Sequence, residues 1–187
     1  MSSFQESLAR YYHYLLNGDL EPLEALFSGT PLINTPMQGE VRGSEAFARF
    51  VGETRQWLKR HDARPEVYAV TRTNRRMVIE FVLYLQLQES TIDLPVALVA
   101  DREGDGASAI RVYHSMWPLT GEHGVRPPLL RPAGHLEEPA IIRQYMEGLG
   151  KPDKAAVLAL FEDDGYVREA QRGPLYAYRP SGPAGVL

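Results

Sequence analysis

Two titratable residues on predicted strands, Glu80 and His114, are the main candidates for chemistry in this chain. Glu80 lies in a long segment of alternating hydrophobicity, 77–88, and His114 lies near the end of another, 108–117. A carboxylate and an imidazole in a largely apolar cavity have perturbed pKa values, which suits general acid–base catalysis near neutral pH. Alternatively, the two groups satisfy each other inside a binding cavity or an interface, since structural ion pairs also perturb pKa values.

Other catalytic groups are scarce in the composition. The chain has no cysteine, which excludes disulfides, thiolate zinc sites and cysteine nucleophiles. The histidines fall at no metal-ligand spacing, so we expect neither a metal ion nor another cofactor. They are His13, His61, His114, His123 and His135.

Length, composition and charge indicate a folded protein without a nucleic-acid or membrane partner. The 187 residues are 44% hydrophobic and 24% charged, enough to bury a sizeable core. A formal charge of −4 argues against binding nucleic acid, because neutralising phosphates requires clustered Lys and Arg. The longest apolar run, 94–100, is far shorter than the roughly 20 residues of a membrane span. The first twenty residues contain no signal-peptide core, so we expect a cytoplasmic protein.

Within residues 1–118 the periodicity of apolar residues changes from helical to strand-like, and helical spacing resumes at Ile141. Helical spacing predicts two short helices over 8–27 and, after a small hairpin, a third helix that begins at Ser44. After Pro65 the period becomes two, which predicts strands over 77–88, 91–102 and 108–117. Helices followed by an antiparallel meander indicate an α+β fold.

The predicted strand 77–88 has one wholly apolar face. This face is too apolar to meet water and must be covered. Its members are Met77, Ile79, Phe81, Leu83, Leu85 and Leu87.

The beginning of the chain is partly repeated near its end. Residues 8–39 and 142–173 align without gaps at an offset of 134, with seven identities in 32 positions. Tyr11 aligns with Tyr145 and Asp19 with Asp153. Alternatively, any two amphipathic helical hairpins share some apolar spacing. We predict a domain over 1–118, a Pro/Gly-rich linker over 119–139 and an incomplete second copy over 140–187. Two helices and a short hairpin cannot bury their apolar faces alone, so this second copy must pack on the first domain, on another chain or within a longer protein.

The order of elements resembles the nuclear-transport-factor-2-like superfamily, which includes the SnoaL-like cyclases and ketosteroid isomerase. The resemblance covers about residues 5–118 in full and 140–187 in part. It implies a cystatin-like cone, in which three N-terminal helices pack on a curved antiparallel sheet around an apolar pocket. The residues that carry it are Ala9-Arg10-Tyr11-Tyr12, Asn17-Gly18-Asp19-Leu20, Leu23, Ala25-Leu26-Phe27, Thr35-Pro36, Gly39, Arg42-Gly43, Pro95 and 110–117.

The resemblance also implies which parts of the isomerase site are present. The tyrosine that donates to the oxyanion falls on Tyr11. The catalytic base, an aspartate in the family, falls on Thr35, and the second donor, a protonated aspartic acid, falls near Ala97. Because neither Thr35 nor Ala97 carries a carboxyl group, the base and the second donor are both missing. We therefore do not expect steroid isomerisation by that mechanism.

In the register of the superfamily, Glu80 and His114 point into the cone. We therefore predict that His114 acts as acid or base, that Glu80 orients it, and that Tyr11 or Tyr84 donates a hydrogen bond to a substrate oxygen. In the second copy, Tyr145 is the counterpart of Tyr11 and Glu169 the counterpart of Thr35. Alternatively, Glu169 lies on an edge strand that is exposed to solvent. The predicted pocket wall consists of Tyr11, Thr35, Trp57, Val82, Tyr84, Ala97, Val112 and Met116.

Two functions are consistent with this sequence. The first is binding of a small, mainly apolar molecule, with isomerase-, cyclase- or hydrolase-like acid–base chemistry on a carbonyl compound. The second is a non-catalytic binding or dimerisation module whose cone is filled by its own side chains. A cavity of roughly 300 Å³ or more favours the first. The resemblance further implies a homodimer through the sheet face; this or residues 140–187 would cover the apolar face of 77–88.

Overall fold

A computed structural model describes residues 4–87, 90–121, 138–151, 153–163 and 165, and the backbone of 176–177 and 185–186. The chain divides into two compact units, Met1–Leu129 and Leu130–Leu187. The division falls inside the segment predicted as a linker, of which residues 122–137 lie outside the described part of the chain.

The first unit begins with three short helices and continues, after a hairpin, with a long one. Gly18 ends α2 in the left-handed conformation (φ 78°), which glycine adopts without strain. Its N–H donates to the carbonyl oxygens of Tyr14 and Leu15, and α3 starts two residues later. In α4, Glu45 in the first turn and Lys59 and Arg60 in the last complement the helix dipole. The helices are α1 (Phe4–Ala9), α2 (Tyr11–Asn17), α3 (Leu20–Glu24) and α4 (Ser44–Arg60).

A six-stranded sheet packs against these helices, which confirms the predicted α+β class. Its order is β2-β1-β6-β5-β4-β3. Neighbouring strands are antiparallel except β1 and β6, which are parallel and place Ile33 beside Ile110. The sequence predicted a sheet that is antiparallel throughout, so the parallel pairing of β1 with β6 differs from the prediction. The strands are β1 (Leu32–Thr35), β2 (Gly39–Arg42), β3 (Arg64–Arg72), β4 (Arg76–Leu87), β5 (Ser90–Glu103) and β6 (Gly106–Tyr113).

The apolar face of β4 forms the centre of the core. Ile79, Phe81 and Leu83 are at most 3% exposed, and the Phe81 ring meets Tyr12 of α2 edge to face at 5.1 Å between centroids. The N-terminal helices therefore cover this face, and the expectation that a dimer or residues 140–187 must cover it is wrong. A homodimer through the other face of the sheet stays a prediction.

The last strand is shorter than predicted. β6 ends at Tyr113, and a four-residue helix, α5 (Trp117–Thr120), follows it. Pro118 lies in the first turn of α5, where its missing N–H costs no helical hydrogen bond and its fixed φ suits a helix. His114 and Met116 thus lie beyond the strand on which they were predicted.

The outward face of the sheet carries a cluster of three charges from β4, β5 and β6. Asp101 pairs with Arg111 through two guanidinium nitrogens and with Arg76, whose Nε lies 2.9 Å from Oδ1. Burial alone raises the pKa of Asp101, but hydrogen bonds and charge from Arg111 and Arg76 outweigh it, and the pKa is lowered. Because Arg111 is only 7% exposed, its charge depends on this carboxylate.

We expect Asp101→Asn to lower the free energy of unfolding of the first unit by on the order of 2 kcal/mol near neutral pH. A carboxylate whose folded pKa is depressed stabilises the fold above about pH 4, and this contribution is lost as pH falls through the folded pKa. The difference between the variant and the wild type should therefore shrink in acid.

Urea unfolding followed by tryptophan fluorescence measures this effect, since both tryptophans, Trp57 and Trp117, belong to the first unit. The exposed Asp93 of β5 supplies the control variant, Asp93→Asn. An Asp101→Asn deficit that stays the same from neutral pH to acid would contradict the assignment.

The second unit contains a helical hairpin, α6 (Ala140–Gly150) and α7 (Lys154–Leu158). Asp153 caps α7 by accepting a hydrogen bond from the N–H of Ala156 at 3.0 Å. Tyr145 meets Phe161 edge to face, with 6.1 Å between ring centroids. Two-residue strands β7 (Tyr176–Ala177) and β8 (Gly185–Val186) pair antiparallel. Among the described helices of both units, none has the length and hydropathy needed to span a membrane.

Candidate binding cavity

A cavity of about 320 Å³ opens in the first unit between α2, α4 and the helix-covered face of the sheet. Aromatic side chains form one part of its wall, aliphatic side chains another, and exposed polar groups of α4 and the β1–β2 turn form its rim. The aromatic residues are Tyr11, Tyr12, Phe50 and Trp57; the aliphatic ones are Leu15, Leu58, Leu83, Leu94, Val112 and Leu119. The polar rim contains Gln38, Glu53, Gln56 and Arg60.

Tyr11 places a phenol on the cavity wall. Its side chain is 1% exposed, and burial, with a smaller effect from Tyr12, raises the pKa of Tyr11 well above its ordinary value. The hydroxyl therefore stays protonated at any physiological pH. It makes no hydrogen bond to the part of the chain that the structure describes, so it can donate one to a bound molecule.

His114 brings an imidazole to the same cavity from the segment after β6. The ring is half-buried, and Nδ1 lies 3.1 Å from the carbonyl oxygen of Ser115. This contact favours a proton on Nδ1, because a carbonyl oxygen only accepts. Tyr11 and His114, two of the three predicted catalytic residues, thus share one cavity.

Glu80, the third predicted catalytic residue, lies outside the cavity. It is exposed on the outward face of β4, opposite Ala69 of β3 and Ala97 of β5. Side chains of a strand alternate between its faces, and burying the wholly apolar set turns Glu80 to solvent. The predicted pairing of Glu80 with His114 is therefore wrong.

Three predicted wall residues, Val82, Tyr84 and Ala97, lie outside the cavity for the same reason: the two faces of the sheet are exchanged relative to the prediction. All three lie on the outward face of the sheet, and Tyr84 donates instead to Glu66 at 2.9 Å. This hydrogen bond is the main cause that raises the pKa of Tyr84 to about 12. Met116 directly precedes α5 and does not line the cavity.

The other predicted wall residues, Thr35, Trp57 and Val112, do line the cavity. Thr35 is buried, and its hydroxyl accepts a hydrogen bond from the N–H of Gln38 at 3.0 Å. The Thr35 hydroxyl therefore stabilises the turn between β1 and β2.

Several wall residues were missed by the sequence analysis. Leu83 and Leu94 lie directly opposite each other in the register of β4 and β5. The apolar alternation that marks the core face of β4 was the signal for Leu83. Phe50, Thr54 and Trp57 recur at helical spacing on α4, a pattern that indicates one inward-facing stripe but gives no signal for the polar rim residues Glu53 and Arg60.

The candidates of the second unit lie apart from this cavity. Tyr145 is half-buried against Phe161, and Glu169 lies outside the described residues. In the described ranges, no group of three or more histidine, aspartate and glutamate side chains is arranged to hold a metal ion.

Comparison with known proteins identifies the fold. No protein-family model matches the sequence, and no curated protein is similar to it. A structure from Burkholderia pseudomallei K96243, described as a nuclear-transport-factor-2-like protein of unknown function, is 14% identical with a TM-score of 0.52. It matches over 64% of this chain and 95% of its own.

A second similar structure comes from Catenulispora acidiphila DSM 44928, a protein with a ketosteroid-isomerase-like fold in complex with trimethylamine. It is 13% identical with a TM-score of 0.52, over 67% of this chain and 96% of its own. At such low identity the similarity shows the fold alone. The chain therefore has a nuclear-transport-factor-2-like, ketosteroid-isomerase-like α+β fold.

Proposed function

We propose that this protein binds a small, mainly apolar carbonyl compound in the cavity of its first unit and performs acid–base chemistry on it. The observation that carries the proposal is a cavity of about 320 Å³ with Tyr11 and His114 on one otherwise largely apolar wall. This volume lies at the lower end of the range for small-molecule sites and argues against a cone filled by its own side chains.

The proposed chemistry divides the work between these two residues. Tyr11 donates a hydrogen bond to the carbonyl oxygen, which stabilises negative charge as it develops there. His114 takes a proton from the carbon next to the carbonyl group, and the C–H electron pair forms the enolate. Return of the proton from His114 to the same or another carbon completes an exchange or an isomerisation.

A methylated amine is a second candidate ligand. Four aromatic side chains, from Tyr11, Tyr12, Phe50 and Trp57, line the cavity, and Glu53 adds a carboxylate at the rim. Aromatic faces and a nearby carboxylate attract organic cations. The trimethylamine complex of the Catenulispora protein with the same fold also supports this candidate.

Proton exchange on a simple ketone tests the acid–base proposal. With cyclohexanone in deuterium oxide, proton NMR should show the wild type accelerating exchange of the protons next to the carbonyl. We expect His114→Ala to reduce this rate by about 100-fold or more, because a positioned base contributes 10²–10⁴-fold. Tyr11→Phe should lower the rate and weaken binding.

The exposed His13 of α2 provides the matched control, since His13→Ala removes an imidazole outside the cavity. Equal exchange rates in His114→Ala and His13→Ala would contradict the role of His114. Binding of cyclohexanone or trimethylammonium without exchange, seen by ligand-observed NMR, would leave the non-catalytic binding function. Absence of binding by both compounds would contradict the proposed ligand classes.

We also propose that α6 and α7 begin a second copy of the cone. α3 and α7 are both five residues long and begin 134 positions apart, the offset of the sequence repeat. The preceding residues, Asp19 and Asp153, have similar backbone angles (φ −76°, ψ 83° and φ −89°, ψ 87°), as do Ala25 and Ala159 after the helices. In this interpretation Tyr145 is the counterpart of Tyr11.

A further inference from the structure

A second cavity, of about 420 Å³, adjoins the first between α4 and the edge strand β2. Exposed polar side chains form most of its walls, in contrast to the largely apolar first cavity, and we call it the polar groove. Gln38, Phe50 and Glu53 line both spaces, so the cavity and the polar groove meet along these side chains. The polar groove therefore lies directly beside the proposed site of chemistry.

One face of α4 runs along both spaces. Its side chains recur at alternating intervals of three residues and one, which places them on a single stripe of the helix. They are, in chain order, Ala46, Arg49, Phe50, Glu53, Thr54 and Trp57. The first two line the polar groove, the last two line the cavity, and the middle two line both. The stripe is about 17 Å long at the rise of an α-helix, so a molecule lying along it passes from aromatic to charged surroundings.

Two guanidinium groups line the polar groove, from Arg42 at the end of β2 and from Arg49 on α4. Arg42 pairs with Glu40 at 3.2 Å, and Arg49 pairs with Glu45 at 2.7 Å. Both ion pairs are exposed and therefore weak, so a carboxylate of a ligand can exchange with either glutamate. Glu53 lies where the two spaces meet and repels an anion there. The favourable place for an anion is therefore beyond Glu53, at the two arginines.

We propose that the ligand is an elongated oxo acid, whose ketone lies in the cavity and whose carboxylate lies in the polar groove at Arg42 and Arg49. This inference rests on the proposed function for the ketone end and adds the chemical class of the substrate. Thr54 and Arg49 are five residues apart, which is about 8 Å along the helix axis. The chain between ketone and carboxylate must span at least this distance, so short oxo acids do not reach the arginines.

Titration calorimetry of the full chain with methyl ketones that end in a carboxylate tests this proposal. The probes carry two, four, six or eight methylene groups between the ketone and the carboxylate. The methyl ester of each probe is the neutral control, because it has the same apolar chain. With the shortest spacer the ester should bind more tightly, since the carboxylate of the acid lies near Glu53. With the longest spacer the acid should bind about tenfold more tightly than its ester.

The double variant Arg42→Gln/Arg49→Gln should lose this preference for the long acids and bind the esters like the wild type. Both arginines are exposed, so the substitutions leave the core intact. Arg55→Gln is the matched control, because Arg55 is an exposed cation of α4 that lines neither space. A preference that is independent of spacer length, or that persists in the double variant, would overturn the proposal. So would its loss in Arg60→Gln alone, which would place the anion at the other end of the cavity.

Cyclohexanone separates this inference from the proposed function, because it has no chain to reach the polar groove. If cyclohexanone binds and exchanges its protons but long acids are not preferred, the oxo acid is wrong and the acid–base function stands. If long acids bind through both arginines but His114→Ala leaves proton exchange unchanged, the oxo-acid site is supported and the role of His114 is contradicted.

Discussion

Replacing Thr54 by tryptophan is expected to abolish ligand binding in the cavity of the first unit. Thr54 is half-buried on α4 and lines the cavity, so an indole at this position occupies much of the 320 Å³ available. Because the cavity provides the space, the new side chain should displace the ligand and not the surrounding core. Ligand-observed NMR with cyclohexanone and trimethylammonium measures the loss directly.

Lys59→Trp is the matched control for this variant. Lys59 is exposed on the same helix and does not line the cavity, so this substitution adds the same indole outside it. We expect wild-type binding from Lys59→Trp and none from Thr54→Trp, with equal thermal stability. Undiminished binding by a folded Thr54→Trp variant would move the ligand site away from this cavity.

Truncating Phe47 to alanine should cost about 4 kcal/mol of the free energy of unfolding of the first unit. Phe47 is completely buried, meets Phe27 edge to face at 5.4 Å and stacks on Phe50 at 5.8 Å. Its removal leaves a void where α3 and α4 meet, and the aromatic contacts are lost together with the buried area.

Urea unfolding followed by tryptophan fluorescence reports on the first unit alone, for the reason given for Asp101. Tyr68→Ala is the control, because this aromatic side chain on β3 is 57% exposed and its loss should cost less than about 1 kcal/mol. A Phe47→Ala deficit as small as that of Tyr68→Ala would show that α4 does not depend on this aromatic cluster.

The sequence pattern was sufficient to predict the main helices and strands of the first unit and the side chains of α4 that face inward. Phe47, Phe50 and Trp57 recur at helical spacing, and all three contribute to the core or the cavity. The pattern of β4 was equally clear, since one face of the strand is wholly apolar. Hydrophobic burial alone would have turned that face inward and Glu80 outward.

Glu80 was placed in the cavity incorrectly because its orientation was taken from the register of the superfamily and not from hydrophobic burial. Alternation has a period of two, so a shift of one position exchanges the two faces of a strand. The position of His114 was harder to predict, because the end of β6 depends on where α5 begins. Pro118 was a local signal for that helix, but an apolar run from 110 to 117 also fits a longer strand.

The parallel pair of β1 and β6 has a consequence for how the chain folds during synthesis. The hairpin of β1 and β2 joins the rest of the sheet through β6, and the N–H of Ser28 donates to the carbonyl oxygen of Ala107 in the same strand. These contacts join segments almost 80 residues apart, and closing so long a loop slows folding. Until Tyr113 has left the ribosome, β1 is paired with β2 but lacks its parallel partner β6, so the cavity between helices and sheet forms late and as one step.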